Sequence, residues 1–185
     1  FIITSQANLE TDFYSLGGNL GYADQEFIER IDNTLINPGK SWLLRKKTWE
    51  PFIVNGKMDY TYNERYRTQL DRVIDELQSK PGTRQAIMTI YDQHQDLGNW
   101  GGKARIPCSI YYQFIRRTVK DRELLHCIYT MRSCDALTHL LYDLYLTMRL
   151  QLYVANAVGI DPGTFTIFIG SLHAYQQDIE KQGIF

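Results

Sequence analysis

The stretch Arg105–Asp135, RIPCSIYYQFIRRTVKDRELLHCIYTMRSCD, decides how this chain folds. Cys108 to Thr118 and Glu123 to Met131 are both rich in β-branched and aromatic residues. The charged run Lys120-Asp121-Arg122 separates them, so the pattern predicts two strands joined as a hairpin. Cys108 stands where the first strand begins, and Arg132-Ser133-Cys134-Asp135 follows the second. That order reads as a thiolate nucleophile with a phosphate clamp behind it.

Outward from the hairpin, Arg84 to Tyr91 reads as a buried strand, followed by the polar, glycine-rich 92–102. Tyr66, Leu70, Val73, Ile74 and Leu77 fall at helical spacing, so the pattern predicts one helix over Asn63–Lys80, ended by Pro81-Gly82. Ala23 to Leu35 is helical by the same test, through Phe27, Ile28, Ile31 and Leu35. Phe1 to Leu20 alternates weakly around Gly17-Gly18 and is expected to form a strand and a turn, and 37–62 to form a long loop. Asp135 to Val158 is apolar on more than one face, which predicts a buried central helix ended by Gly159. Thr164 to Ser171 is a last strand, with His173 and Tyr175 beyond it. Strands and helices mix without strict alternation, so the expected class is α+β, in one domain spanning 1–185.

With 185 residues, 44% of them hydrophobic, the chain has material for a sizeable core. Its net charge of −1 and its scattered lysines and arginines give no basic stripe, which argues against polymeric nucleic acid and for a small ligand. Asp143, Arg149 and Gln151 break the longest apolar run, and no leader pattern is present, so neither a membrane span nor a signal peptide is expected. Three cysteines without C-x-x-C spacing suit a reducing, cytoplasmic setting better than a disulfide framework. The four histidines have no metal-ligand spacing, so no metal is expected.

Cysteine attacks as the thiolate, favoured by nearby cations, and Arg105 is close in sequence. A cysteine at a strand start is more often a small buried hydrophobe, and spacing alone does not choose between the two. Arg132-Ser133 could offer a guanidinium fork and a hydroxyl to a phosphate, with Arg84 as a second fork; surface arginines are a common alternative. His173 and Tyr175, two apart after a strand, share a face and could hold a sugar hydroxyl. Asp143, on an apolar helix, is either exposed or functional, because an unpartnered buried carboxylate costs several kcal/mol.

Pro107-Cys108, Gln113-Phe114, Arg132-Ser133-Cys134-Asp135, Asp143 and Gly170-Ser171-Leu172-His173-Ala174-Tyr175, in this order and spacing, resemble the thymidylate synthase superfamily. Within it the wording is most similar to the phage deoxycytidylate hydroxymethylases and the bacterial cytidylate hydroxymethylases. The resemblance implies a twisted mixed sheet packed by helices around a long buried helix, dimerising through the sheet. It implies Cys108 as the nucleophile at C6 of a pyrimidine nucleoside monophosphate and 5,10-methylenetetrahydrofolate as one-carbon donor. Arg132 and Ser133 would hold the 5′-phosphate, joined by Arg84 from the other subunit of a homodimer. His173 and Tyr175 would take the sugar hydroxyl, Asp135 would lie near folate and base, and Tyr62 would organise water. The family's glutamate in the first helix aligns with Ile31, so Glu29 is taken in its place. Thymidylate synthases place asparagine at position 143, whereas the hydroxymethylases place aspartate, so Asp143 implies cytosine. The implied product is a 5-hydroxymethylcytidylate, made in a bacterial or phage-infected cytosol. Thymidylate synthesis, uridylate hydroxymethylation and nucleotide binding without turnover are the alternatives.

Overall fold

The computed structural model describes residues 2–3, 9–99 and 104–183. Its strands are β1 (Ile2–Ile3), β2 (Ile87–Thr89), β3 (Ser109–Val119), β4 (Arg122–Met131), β5 (Cys134–Asp135), β6 (Asp161–Ile169) and β7 (Leu172–His173). Its helices are α1 (Leu9–Ser15), α2 (Leu20–Ile31), α3 (Lys46–Trp49), α4 (Tyr62–Tyr66), α5 (Leu70–Ser79), α6 (Gln93–Asp96), α7 (Leu140–Val158) and α8 (Gln176–Lys181). The main sheet runs β1-β6-β4-β3-β2 and is antiparallel except where β4 lies parallel to β6. A parallel pair needs a crossover, and α7 supplies it.

The hairpin forms as the sequence pattern predicts. Lys120 and Asp121 both have positive φ, 49° and 62°, the backbone of a two-residue turn whose twist matches its strands. Tyr112 and Phe114 on β3, with Leu125, Cys127 and Tyr129 on β4, face inward with no exposed surface. Against that face lies α7, whose Leu150, Val154 and Ala155 are fully buried. Gln151 is also fully buried and donates from Nε2 to Leu125 O at 2.7 Å, so its amide joins helix to sheet without an unsatisfied donor. Gly159, at φ 80°, takes the left-handed cap that ends α7.

Four expectations need correction. The amino-terminal stretch contains α1, because Phe13 packs its ring on Tyr145 at 4.2 Å and Gly18 lies close beneath it; a Cβ on Gly18 would meet the Phe13 ring at 2.4 Å. The helix expected over Asn63–Lys80 is two, since Gln69 turns its amide to the edge of β2, accepting from Thr89 N at 2.8 Å and donating to Thr89 O at 2.7 Å. The long helix starts at Leu140 and not Asp135, because the Asp135 carboxylate accepts from Leu137 N and Thr138 N and holds a turn there. The loop expected over 37–62 contains α3 and short 3₁₀ turns at Ser41–Arg45 and Glu50–Phe52.

That segment is held by Asn63, a residue 2% exposed. Its Nδ2 donates to Glu29 O and Asp32 O at 2.9 and 2.8 Å, and its Oδ1 accepts from Ile36 N at 2.8 Å. One side chain thus closes the end of α2 and fixes the exit of the chain. Asn63→Ala leaves these buried groups unpaired and is expected to lower unfolding stability by about 2–3 kcal/mol, read as a lower urea midpoint at unchanged slope.

Candidate active site

Pairing of β4 with β6 carries its register on into the segments that follow. Arg132 O accepts from Ser171 N at 3.0 Å, Cys134 N donates to Ser171 O at 2.9 Å, and β5 pairs with β7 so that Asp135 faces His173. The close approach needs Gly170, where a Cβ would meet Arg132 O at 2.8 Å. Of the residues in these segments, Arg132, Ser133, Asp135 and His173 line one cavity of about 490 Å³ together with Cys108, Tyr62 and Asp143.

Cys108 is half-buried at the entry to β3, where the register with β4 shifts between Ser109 and Tyr111. Its sulfur accepts from Ser133 Oγ at 3.6 Å and Arg132 Nη2 at 3.8 Å. The same guanidinium donates to Pro107 O and Ile106 O at 2.9 Å each and to Ser133 Oγ at 2.9 Å, so Arg132 fixes the segment that presents the thiol. Cys127 is fully buried, and burial raises its thiol well above the ordinary range, which suits an inert core cysteine. Cys134 is not inert packing: its Sγ donates to Asp143 Oδ2 at 3.5 Å.

Asp143 lies in the first turn of α7, half-buried on the cavity wall. Burial pushes its carboxyl up to about 6, against the opposing pull of Arg30, Cys134 and Arg45 and with the further push of Glu26. At Asp135 burial raises and hydrogen bonds from Thr138 and the Leu137 amide lower; the hydrogen bonds prevail and hold the carboxyl below its ordinary value. His139 is pushed down to about 4 by burial and by Arg45, so it is neutral near pH 7. Its ring lies 5.6 Å from that of Trp49. Tyr62 OH shares a hydrogen bond with Ser109 Oγ at 2.6 Å, and Ser109 in turn meets Tyr129 OH, a chain of hydroxyls leading from the cavity into the core. His173 and Tyr175 stand edge to face at 5.3 Å on the cavity wall.

Two of the residues singled out in the sequence lie elsewhere. Arg84 is exposed before β2, where its carbonyl accepts from Gln113, and does not line this cavity. Glu29 points to the 39–41 turn, accepting from Lys40 N at 2.6 Å, Ser41 N at 3.0 Å and Ser41 Oγ at 2.7 Å. It lines a smaller adjoining pocket, not the wall around Cys108. The carboxylate of α2 whose field reaches Asp143 is Glu26, one turn earlier. Glu26 accepts from Arg30 Nε at 2.9 Å and Ser41 Oγ at 2.9 Å. Arg30 and Arg45, both on the cavity wall, were also missed; the i,i+4 spacing of Glu26 and Arg30 was the available signal for the first. Arg45 lies 4.2 Å over the Tyr142 ring, and its Nη1 is buried without a partner. Arg105 covers Trp49, Phe52 and Tyr60 at about 5 Å from each ring. The cavity therefore has a thiol beside a cation at one end, a carboxyl of raised pKa at its base and an aromatic wall. Among the described residues there is no cluster of three or more histidine, cysteine or carboxylate side chains that could hold a metal, and no helix is long and apolar enough to cross a membrane.

The family model described as thymidylate synthase matches residues 22–183. Thymidylate synthase of Saccharomyces cerevisiae is 28% identical over 138 residues, covering 71% of this chain and 44% of that protein. That of Rhodopseudomonas palustris is 27% identical over 113 residues, 61% of this chain and 36% of its own. The crystal structure of thymidylate synthase from T4 phage superposes with a TM-score of 0.70 at 20% identity, over 87% of this chain and 60% of that one. The chain spans 36 to 57% of the length of such curated relatives.

Asp143 makes stability depend on pH. Its folded pKa lies above the ordinary carboxylate value, so the folded state holds the extra proton. Its contribution is full below about pH 4 and is lost as pH rises through about 6. Asp143→Asn is expected to flatten that part of the stability profile, read by urea denaturation across this range.

Proposed function

Since the chain belongs to the thymidylate synthase family, we propose that it is a folate-dependent 5-hydroxymethylase of cytidine monophosphates, dCMP or CMP. The observation that carries the reading is the Asp143 carboxyl, which lines the same cavity as the Cys108 thiol. A carboxylate accepts from the N4 amine of cytosine and from a protonated N3, and a neutral carboxyl accepts from N4 and donates to N3. Either way one proton is shared between Asp143 and N3, which draws electrons from C6 and readies it for attack.

Cys108 adds to C6 as the thiolate, with Arg132 and Ser133 beside the sulfur. The addition leaves C5 nucleophilic. Methylenetetrahydrofolate supplies a one-carbon unit at the formaldehyde level, and its flat ring suits the wall of Trp49, Phe52 and Tyr142. C5 bonds to that carbon, the C5 proton leaves, and release of tetrahydrofolate yields an exocyclic methylene. Water adds to the methylene carbon and gives up a proton, and the electron pair moving back through C5 and C6 expels Cys108 as thiolate. No hydride moves, so tetrahydrofolate is regenerated.

Arg132 and Ser133 are proposed to bind the 5′-phosphate, His173 and Tyr175 the sugar hydroxyl, and Asp135 to sit against base and folate. Tyr62, with the hydroxyl chain behind it, orders the attacking water. Glu26, through its pair with Arg30, takes the proton-handling place first given to Glu29. A homodimer fits the sheet face that no helix covers, where Phe168 and Ile87 are 58% and 42% exposed. Arg84 is exposed just before β2, the edge strand of that sheet, which suits a residue acting in a partner's cavity.

The test is tritium release from C5 of dCMP, CMP, dUMP and UMP with methylenetetrahydrofolate. Release from a cytidylate without dihydrofolate is expected; release from dUMP with dihydrofolate would make the chain a thymidylate synthase, and nucleotide binding without release a silent homologue. Cys108→Ser is expected to lower release by about three orders of magnitude or more. Asp143→Asn is expected to move preference from cytosine to uracil by about ten- to a hundredfold, the size of one mismatched polar pair.

A further inference from the structure

The ion pair on α2 joins Glu26, which the reaction above gives a proton-handling place, to a guanidinium on the wall of the cavity that also holds Asp143. Arg30 is 7% exposed, donates from Nε to Glu26 at 2.9 Å, and lies 3.9 Å over the Tyr62 ring. It lines the cavity that holds Asp143 and Cys108. A buried guanidinium is costly unless its charge is matched, and here one carboxylate is paired while a second lines the same cavity.

The ionisation state of Asp143 decides which base it accepts. A neutral carboxyl is a donor and an acceptor at once, so it fits uracil, accepting from N3–H and donating to O4, as well as it fits cytosine. A carboxylate has no donor for O4, and only a cytosine protonated at N3 satisfies it. Discrimination against uracil therefore requires Asp143 to be without its proton.

We propose that Arg30 is a positioning residue for base selection, its guanidinium cancelling Glu26 and lining the same cavity as Asp143 so that Asp143 stays ionised and uracil is refused. This rests on the cytidylate reading above. The charged and titratable groups around Asp143 are Arg30 and Glu26 from α2, Arg45 from the 41–45 turn, Cys134 from β5, Tyr62 from α4 and Tyr129 from β4. Of the charges, Arg30 acts most strongly in the direction of ionisation, and Arg45 acts the same way more weakly. Glu26 acts against it, so loss of Arg30 both removes a favourable charge and exposes an unfavourable one. The Cys134 thiol donates to Asp143 in either case. Both tyrosines are neutral, since burial raises their phenols well above the ordinary value.

The experiment measures the ratio of C5 tritium release from dUMP and dCMP between about pH 5 and about pH 8, in the wild type, Arg30→Met and Arg30→Lys. In the wild type the ratio rises toward acid pH, where Asp143 is neutral. In Arg30→Met that rise is expected about one pH unit higher, so near neutral pH the ratio increases about tenfold; Arg30→Lys restores the wild-type profile. A purely structural Arg30 would lower release from both bases by one factor at every pH, and that result would overturn the proposal. Arg30→Gln gives a second measure if the Met variant does not fold. The infrared band of the protonated Asp143 carboxyl, identified by its loss in Asp143→Asn, should titrate at higher pH in Arg30→Gln, and an unmoved midpoint would also overturn it. No release from dCMP or CMP by the wild type would defeat the cytidylate reading, and the infrared midpoint would then decide the coupling of Arg30 to Asp143 by itself.

Discussion

The parallel pairing of β4 with β6 is the constraint on which the rest of the molecule depends. Two parallel neighbours cannot be joined by a short turn, so the chain must leave β4, cross the sheet and return. The crossover is α7, and it places Asp143 beneath the ends of the same two strands. Past those ends the backbones stay in register through Gly170, Ser171 and Cys134. Arg132-Ser133 and His173 thus reach one cavity from segments some forty residues apart.

Charge shapes that cavity more than its size does. Four guanidinium groups, from Arg30, Arg45, Arg105 and Arg132, stand on its wall with the carboxyls of Asp135 and Asp143. Each cation already has an internal partner: Glu26 for Arg30, Thr138 O and the Tyr142 ring for Arg45, aromatic faces for Arg105, and backbone carbonyls for Arg132. Such preorganisation holds positive charge in place before an anion arrives, so little reorganisation is required on binding. It also leaves the Asp143 proton under the control of neighbours on three different elements.

Most of the sheet and the long helix were legible because period-2 and helical patterns report directly on which face is buried. The misreadings share one cause. Gln69 breaks a helix by bonding the edge of β2, Asp135 delays another by capping its own turn, and Phe13 makes α1 by finding Tyr145, which is distant in sequence. In each a contact overrides local propensity. The site divides the same way. Cys108, Arg132, Ser133, Asp135, Asp143, Tyr62, His173 and Tyr175 were singled out by motif and resemblance, and all line one cavity. Glu29 was taken because the family's glutamate aligned with Ile31; in the fold Glu29 meets the 39–41 turn while Glu26 pairs with Arg30.

By itself the sequence determined the hairpin, the crossover helix, the resemblance to a pyrimidine-modifying family and the aspartate at position 143. These depend on residue type and spacing along the chain, which a linear string records completely. Only the tertiary structure decided that Arg30 and Asp143 share one cavity, that Glu26 and not Glu29 is the carboxylate paired with Arg30, and that Cys134 donates to the Asp143 carboxyl. Electrostatic coupling depends on distance and burial in space, and those exist only once elements far apart in the chain have packed together.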